Sequence, residues 1–176
     1  QIEFMKTIVV LAHPHIEQSG VNKTWTSALV QKHPEVKLHN LYTKYPDWKF
    51  DVQAEQALLE QYDRIILEFP VQWYSVTPLL KKWLDDVFLQ GWCYGEGGNK
   101  LTGKQIGIAL STAGVAEAYT EEVYGTVAQI LKPLESTVKF VGAEYISYHV
   151  FHGAYTPDAS ERLAEDVEKY IDFVTK

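Results

Sequence analysis

The chain has 176 residues, of which 46% are hydrophobic and 22% charged, a composition typical of one globular domain with a single core. Its formal net charge is −7 and its isoelectric point about 5.3, so it lacks the basic surface with which proteins bind nucleic acid. A single cysteine, Cys93, excludes an internal disulfide framework and a multi-cysteine metal site. No apolar run approaches the ~20 residues that cross a bilayer, and we expect a cytoplasmic protein.

The first residues, QIEFMKTIVVLAHP, lack the layout of a signal peptide because their apolar run is too short. Met5 is interpreted as the natural start, which makes residues 1–4 an addition from expression. The expected domain is therefore residues 5–176, and no linker or internal repeat interrupts it.

Five short apolar or alternating runs predict β-strands at residues 6–12, 36–41, 64–69, 104–111 and within 139–150. Helical spacing and capping signals predict helices at residues 22–31, 51–61, 77–89, 121–131 and 159–174. Asp51 is the predicted N-cap of the second helix, and Pro78 lies in the first turn of the third. The alternation of strand and helix predicts an α/β fold with a parallel sheet and helices on both faces.

The first loop beyond a strand, HPHIEQSGVN, places Ser19, Gly20 and Asn22 just before a helix. A helix N-terminus presents free amides and a positive dipole end, which suits a phosphate group. An ordinary helix cap is the alternative interpretation. The loop has neither a P-loop lysine nor GxGxxG, and His13 and His15 have no third ligand at a spacing that would hold a metal ion.

The second loop, PVQWYSVTP, follows a buried strand and combines free backbone amides with the flat faces of Trp73 and Tyr74 and the polar side chain of Gln72. These groups suit a planar heterocycle, although both rings could instead pack the next helix against the sheet. The third loop, STAGVAEAYT, has small residues that let a ring approach the backbone, and Tyr119 could donate its hydroxyl to a ligand. A plain surface tyrosine is the alternative for Tyr119.

Other chemically suggestive residues are given structural roles. Asp85 and Asp86 are adjacent in a helix and face different directions, which indicates a solvated face rather than a catalytic dyad. Cys93 has no activating motif beside it and is interpreted as inert. Trp92 and Tyr94, in the glycine-rich connection, are expected at a subunit interface or lining the ligand slot.

The segments VVLAHP, PVQWYSVTPLLKKWLD and GIALSTAG together resemble the flavodoxin-like NAD(P)H dehydrogenase (quinone) family over nearly the whole chain from Met5. This family includes modulator-of-drug-activity proteins, quinone reductases and ancillary flavoproteins of potassium efflux. The most specific motif consists of Pro70, Trp73, Pro78, Lys81, Trp83 and Asp85. The resemblance implies a doubly wound, five-stranded parallel sheet of order 2-1-3-4-5.

The resemblance also implies a site. The matching phosphate-side residues are His13, Ser19, Val21 and Asn22. The residues that match the segment along the isoalloxazine ring are Pro70, Val71, Gln72, Trp73 and Tyr74. Those that match the loop at the other edge of the ring are Thr112, Ala113 and Gly114, and Tyr119 matches the active-site tyrosine. Ala113 stands where the family often has glycine, and the family's histidine a turn beyond its tyrosine has no match near Tyr124.

The implied activity is that of a homodimeric flavoprotein with FMN, or alternatively FAD. Hydride from NADH or NADPH would pass through the flavin to a quinone-like acceptor in a ping-pong reaction. The alternative function is an ancillary, regulatory flavoprotein associated with a potassium-efflux or other membrane transport system. A one-electron flavodoxin is the third interpretation. The sequence leaves open the nicotinamide cofactor and the acceptor.

Overall fold

The computed structural model describes residues 4–176, so the expected N-terminal addition lies outside the described residues except for Phe4. Five parallel strands form one sheet in the order β2-β1-β3-β4-β5. The strands are β1 Thr7–Leu11, β2 Lys37–Asn40, β3 Arg64–Pro70, β4 Gln105–Ser111 and β5 Glu144–Phe151. The predicted α/β class and the strand order of the flavodoxin-like fold are thereby confirmed.

The helices lie on both faces of this sheet. They are α1 Val21–Lys32, α2 Leu41–Lys44, α3 Val52–Glu60, α4 Pro78–Val87, α5 Val127–Ile130, α6 Lys132–Phe140 and α7 Ala159–Thr175. One core cluster joins the sheet to α3, α4 and α6, and a second joins its other face to α1 and α7. Because β1 and most of β3 are buried on both faces, their sequences read as continuous apolar runs.

The strand register brings the carboxyl ends of four strands to one level. Pro70 is paired with Ser111, and Ser111 is paired with Phe151. Leu11, the last residue of β1, is paired with Glu68, two residues before Pro70. The loops that leave β1, β3, β4 and β5 therefore emerge at the same edge of the sheet. In parallel α/β sheets this is the edge where ligands bind.

The local predictions for Asp51, for Pro78 and for the pair Asp85 and Asp86 are confirmed. The Asp51 carboxylate accepts a hydrogen bond from the Ala54 amide at 3.1 Å and begins α3. Pro78 occupies the first turn of α4, where a missing N–H costs little. Asp85 and Asp86 each form an ion pair with the lysine one turn earlier in α4, which confirms a solvated face.

The predicted helix at 121–131 is confirmed only over Val127–Ile130 and is wrong for residues 121–126. The chain forms a turn up to Gly125, whose positive φ of 88° interrupts any helix. A capping box between Thr126 and Gln129 then begins the short α5. Helix α6 was not predicted; Pro133 lies in its first turn, where the missing N–H of proline costs little.

The interface or slot role expected for Trp92 is also wrong. Trp92 is buried in the core, and its indole Nε1 donates to the Glu60 carboxylate at 2.8 Å. Tyr94 is half-buried and packs against Phe140. Cys93 is buried, and burial raises the pKa of its thiol to about 11, which agrees with an inert role.

Candidate functional site

The loop after β1 builds a capped helix N-terminus. The Ser19 hydroxyl accepts a hydrogen bond from the Asn22 amide at 2.9 Å, and Gly20 leads directly into α1. The first amides of a helix have no partners within the helix, and its dipole is positive at this end. The start of α1 can therefore bind an anionic group, as its sequence predicts.

His13 lies beside this helix start with a defined tautomer. Its Nδ1 accepts a hydrogen bond from the His15 amide at 2.9 Å, so the proton of the neutral ring is on Nε2. Burial lowers the pKa of His13, and the charge of His15 lowers it further. His13 is therefore a neutral donor at pH 7.

Asn22 ties α1 to the end of β4 and has an unused acceptor. Its amide nitrogen donates to the Ser111 hydroxyl at 2.9 Å, and the residue is 1% exposed. Its Oδ1 is buried and has no hydrogen-bond partner among residues 4–176. Since an unpaired buried acceptor is costly, this oxygen could accept a hydrogen bond from a ligand hydroxyl.

The loop after β3 turns back on itself in a tight hairpin. The Val71 amide donates to the Ser111 carbonyl at 2.8 Å, and Gln72 and Ser75 exchange backbone hydrogen bonds of 3.1 and 3.0 Å. Trp73 and Tyr74 occupy the two central positions with φ values of 46° and 61°. Two positive φ angles define a type I′ turn, for which glycine and asparagine are the preferred residues. Bulky aromatic residues in this conformation are unfavourable, a strain that clusters at functional sites.

The strained turn presents its aromatic rings to solvent. Trp73 is 95% exposed and Tyr74 41% exposed, so the alternative that both rings pack α4 against the sheet is wrong. The Tyr74 ring lies 6.2 Å from the Tyr119 ring and 5.8 Å from the Tyr124 ring. The turn therefore contributes flat faces to an open aromatic rim, which consists of Trp73, Tyr74, Tyr119 and Tyr124.

The loop after β4 packs closely against Tyr119. A Cβ added to Gly114 would lie 3.1 Å from Cε2 of Tyr119, so glycine allows this approach. Tyr119 is half-buried, and burial raises the pKa of its phenol. The Thr112 hydroxyl donates to the Gly114 carbonyl at 2.8 Å and fixes the shape of the loop.

Two adjoining crevices at this edge of the sheet are lined by predicted site residues. The first is a cavity of about 70 Å³, lined by His13, Ser19, Gly20, Val21, Asn22, Pro70, Val71, Ser111, Thr112, Ala113, Ala154 and Tyr155. The second is a cavity of about 210 Å³, lined by Val71, Trp73, Tyr74, Ala113, Gly114, Ala118, Tyr119 and Tyr124. They share Val71 and Ala113, so the helix start and the aromatic rim belong to one continuous surface.

The structure thus brings together every predicted site residue except Gln72. The Gln72 side chain is exposed and lines neither crevice, although its backbone holds the hairpin. That these residues bind a cofactor remains a prediction. Sequence reasoning missed the loop after β5, which contributes Ala154 and Tyr155. The available signal was topological, since this loop also leaves the carboxyl end of a parallel strand.

An apolar groove of about 100 Å³ lies on the other side of the hairpin. It is lined by Phe69, Val71, Tyr74, Ser75, Val76, Lys81, Leu84, Ile130, Leu131, Pro133, Leu134 and Thr137. The groove has few polar groups that could orient a ligand, whereas the two crevices combine polar groups with flat rings. We therefore assign the candidate site to the crevices.

Within residues 4–176, no group of three or more histidine, cysteine, aspartate or glutamate side chains is placed to hold a metal ion. The same part of the chain contains no helix long and apolar enough to cross a membrane.

Comparison with known proteins places these features in a family. A family model described as having a flavodoxin-like fold matches residues 5–174. An uncharacterized NAD(P)H oxidoreductase, YdeQ, of Bacillus subtilis (strain 168) is 39% identical over 176 residues, covering 99% of this chain and 88% of the relative.

Solved structures agree in shape. General stress protein 14 of Treponema denticola, in complex with FMN, has a TM-score of 0.90 and 37% identity, covering 96% of this chain and 97% of that one. An NADPH-quinone reductase of P. pentosaceus has a TM-score of 0.84 and 31% identity, covering 98% and 99%. A structure described as a thermophilic tryptophan halogenase, from Streptomycin violaceusniger, has a TM-score of 0.91 and 41% identity, covering 97% and 99%. This chain belongs to the flavodoxin-like NAD(P)H oxidoreductase family, as its sequence motifs predict.

Proposed function

We propose that this protein is an FMN-dependent NAD(P)H oxidoreductase that reduces quinones or similar acceptors by two electrons in a ping-pong reaction. The observation that carries the proposal is the continuous surface across Val71 and Ala113, which joins an anion-binding helix start to an aromatic rim. Relatives of this chain include a protein named NAD(P)H oxidoreductase, a protein in complex with FMN and an NADPH-quinone reductase.

The residues of the first crevice fit the tail of FMN. The start of α1, with the Ser19 hydroxyl and the Nε2–H of His13, would hold the phosphate. The unpaired Oδ1 of Asn22 would accept a hydrogen bond from a hydroxyl of the sugar-alcohol chain. FAD remains the alternative cofactor, because it carries the same chain and first phosphate.

The residues of the second crevice fit a flat ring. Trp73, Tyr74 and Tyr119 supply aromatic faces, and Gly114 leaves the backbone accessible. When bound, the flavin would supply hydride transfer, and the protein would supply orientation and electrostatic stabilisation. The backbone amides of residues 71–74 and 112–114 would stabilise negative charge on the ring, as amides do in an oxyanion hole.

The test of the cofactor is spectroscopic. Purified protein reconstituted with FMN should be yellow, lose its absorbance with NADH or NADPH, and regain it when a quinone is added. Mass spectrometry of the released cofactor distinguishes FMN from FAD, and the two nicotinamides are compared by rate. Protein that takes up neither flavin would contradict the proposal.

The phosphate position can be tested separately. Ser19→Asp places a negative charge at the start of α1 and should weaken FMN binding at least tenfold, while riboflavin, which has no phosphate, should bind as before. The matched control is Ser27→Asp, at an exposed position of the same helix. Equal losses of affinity for FMN and riboflavin would mean that the phosphate binds elsewhere.

A second function, that of an ancillary subunit of a potassium-efflux or other membrane transport system, is favoured by the exposed rim. Trp73 is 95% exposed, Tyr124 61% and Val123 51%, and such residues are common where proteins associate.

We also propose that a second copy of this chain covers this rim in a homodimer. Light scattering tests the dimer, and co-purification from solubilised membranes together with negligible quinone turnover would favour the ancillary function.

A further inference from the structure

The apolar groove beside the hairpin lies between α4 and the segment that joins α5 to α6. Leu84 lines it from α4, and Leu131 and Leu134 line it from the α5–α6 segment. These leucines are 8%, 3% and 6% exposed, so the groove is a recess in the protein rather than a patch of its surface. Apolar recesses of this kind bind hydrocarbon groups.

The groove is continuous with the second crevice. Val71 and Tyr74 line both of them. The backbone of Tyr74 is held at a φ of 61° in the tight turn, and its ring lies close to the rings of Tyr119 and Tyr124. A ligand that occupies the second crevice can therefore extend past a single side chain, that of Tyr74, into the groove.

The polar side chains at the groove are bonded to their own helices. The Lys81 ammonium donates to the Asp85 carboxylate at 2.7 Å, and the Thr137 hydroxyl donates to the Pro133 carbonyl at 2.8 Å. Lys81 is largely exposed, so its alkyl stem lines the groove while its charge stays in water. Because a buried charge is costly without a partner, the groove suits an uncharged hydrocarbon group.

The size of the groove limits that group. An apolar cavity of about 150 Å³ binds benzene, and the groove has a volume of about 100 Å³. It therefore suits a smaller, branched group such as an isoprenyl unit. FMN consists of a flat ring and a polar tail, and neither part matches this recess. The matching group is a substituent of the electron acceptor.

We propose that the groove binds the apolar substituent of the acceptor, so that this protein prefers quinones that carry a short isoprenyl or alkyl chain. The flat head of the quinone lies beside Tyr74 in the second crevice, and the chain passes Tyr74 into the groove. Leu84, Leu131 and Leu134 are then specificity-determining residues that take no part in hydride transfer. The inference rests on the proposed function, since it assumes that quinones are reduced at this site.

Methyl NMR of leucine-labelled protein tests the groove without any flavin. Added 2-methyl-2-butene, a hydrocarbon with the skeleton of an isoprenyl unit, should shift the methyl signals of Leu84, Leu131 and Leu134. The signals of Leu29 and Leu163, which lie in the core cluster on the other face of the sheet, should not move. Shifts at neither set of leucines, or equal shifts at both sets, would overturn the groove as a binding site.

Kinetics of FMN-loaded protein test the substrate preference. In a series of quinones that share one ring and carry chains from methyl to isoprenyl, kcat/KM should rise about fourfold for each buried CH₂ group. The rise should come from a lower KM, because the chain binds equally in the ground state and the transition state.

Three variants sharpen the kinetic test. Leu134→Phe fills the groove and should abolish the dependence of kcat/KM on chain length, and Thr137→Leu, at a half-buried position, should reduce it. Leu89→Phe, at an exposed position after α4, is the matched control and should keep it.

The outcomes separate this inference from the proposed function. If FMN-loaded protein reduces no quinone, the proposed function fails and this inference with it. If every quinone of the series has the same kcat/KM, the inference alone is overturned. If Leu134→Phe keeps the chain-length dependence but dissociates a dimer in light scattering, a second copy of the chain occupies the groove and the inference is likewise overturned.

Discussion

Two pairs, each made of a tryptophan and a tyrosine, lie in opposite environments. Trp25 of α1 and Tyr170 of α7 are fully buried and stack at 4.6 Å with an angle of 4° between their planes. Trp73 and Tyr74 are exposed and are held in a strained turn.

The polar groups of the two pairs differ as well. The Trp25 indole donates to Asp166 at 2.9 Å, and the Tyr170 hydroxyl donates to Glu68. The buried pair therefore has its polar atoms satisfied and adds to stability. The strained backbone of Trp73 and Tyr74 lowers stability. Strained residues cluster at functional sites such as ligand-binding sites.

The largest effect is expected from Trp25→Ala. The change removes a fully buried indole and leaves a cavity between α1 and α7, so the free energy of unfolding should fall by about 3–5 kcal/mol. Urea denaturation at pH 7 measures it. Trp73→Ala is the matched control and should lose almost nothing; equal losses at the two positions would erase the distinction between the pairs.

Glu68, the partner of Tyr170, should make stability fall as pH rises. Burial raises its pKa to about 8, although the bond from Tyr170 lowers it somewhat. Between its ordinary value of 4.5 and about 8, the folded protein keeps a proton that the unfolded chain releases. Stability should therefore decrease on the order of 1.4 kcal/mol per pH unit within this window. Glu68→Gln should flatten the decrease, as measured by urea denaturation at several pH values.

Glu55, buried on the other face of the sheet, is the contrasting control. Burial opposes its ionisation, but hydrogen bonds from His39, Trp83 and Tyr45 prevail and lower its pKa. Its stabilisation should be present above pH 4.5 and be lost as pH falls through the lowered value. Glu55→Gln should therefore be destabilising at neutral pH, where Glu68→Gln is stabilising.

Trp73→Asn should stabilise the protein while weakening its binding of the ligand. Asparagine adopts positive φ more readily than tryptophan, so the free energy of unfolding should rise by about 1 kcal/mol. The loss of the flat ring should weaken FMN binding about tenfold, measured by fluorescence quenching. Trp48→Asn is the control: Trp48 has a φ of 63° and lines neither crevice. If both variants weaken FMN binding, the rim has no special role.

The smallest effect is expected from Gly114→Ala. The new Cβ would lie 3.1 Å from the Tyr119 ring, which must shift by a few tenths of an ångström. The loss of stability should be about 1 kcal/mol, the low end for overpacking. The contact between the Tyr119 and His152 rings, whose centroids lie 4.8 Å apart, should change in nuclear Overhauser spectra. Gly20→Ala, where an added Cβ meets nothing within 4 Å, is the control. An unchanged contact would mean that glycine is not required at position 114.

The sequence by itself determined the strands, the parallel sheet and the three loops that it placed at the site. Apolar runs such as residues 6–12 and the capping signal at Asp51 act over a few neighbouring residues, so their effect can be read locally. The family motifs added the strand order. The boundaries around residues 121–140 were misread because Pro133 can end one helix or begin another, and packing decides which.

Only the tertiary structure decided what each aromatic and polar residue faces. Trp92 and Trp73 both lie in loops. Trp92 is buried with a carboxylate partner, whereas Trp73 is almost fully exposed. Likewise His152 is 40 residues from Thr112 in sequence and 2.8 Å from its hydroxyl in the fold. Such contacts arise because β4 and β5 are paired in register, and no local pattern in the sequence records that pairing.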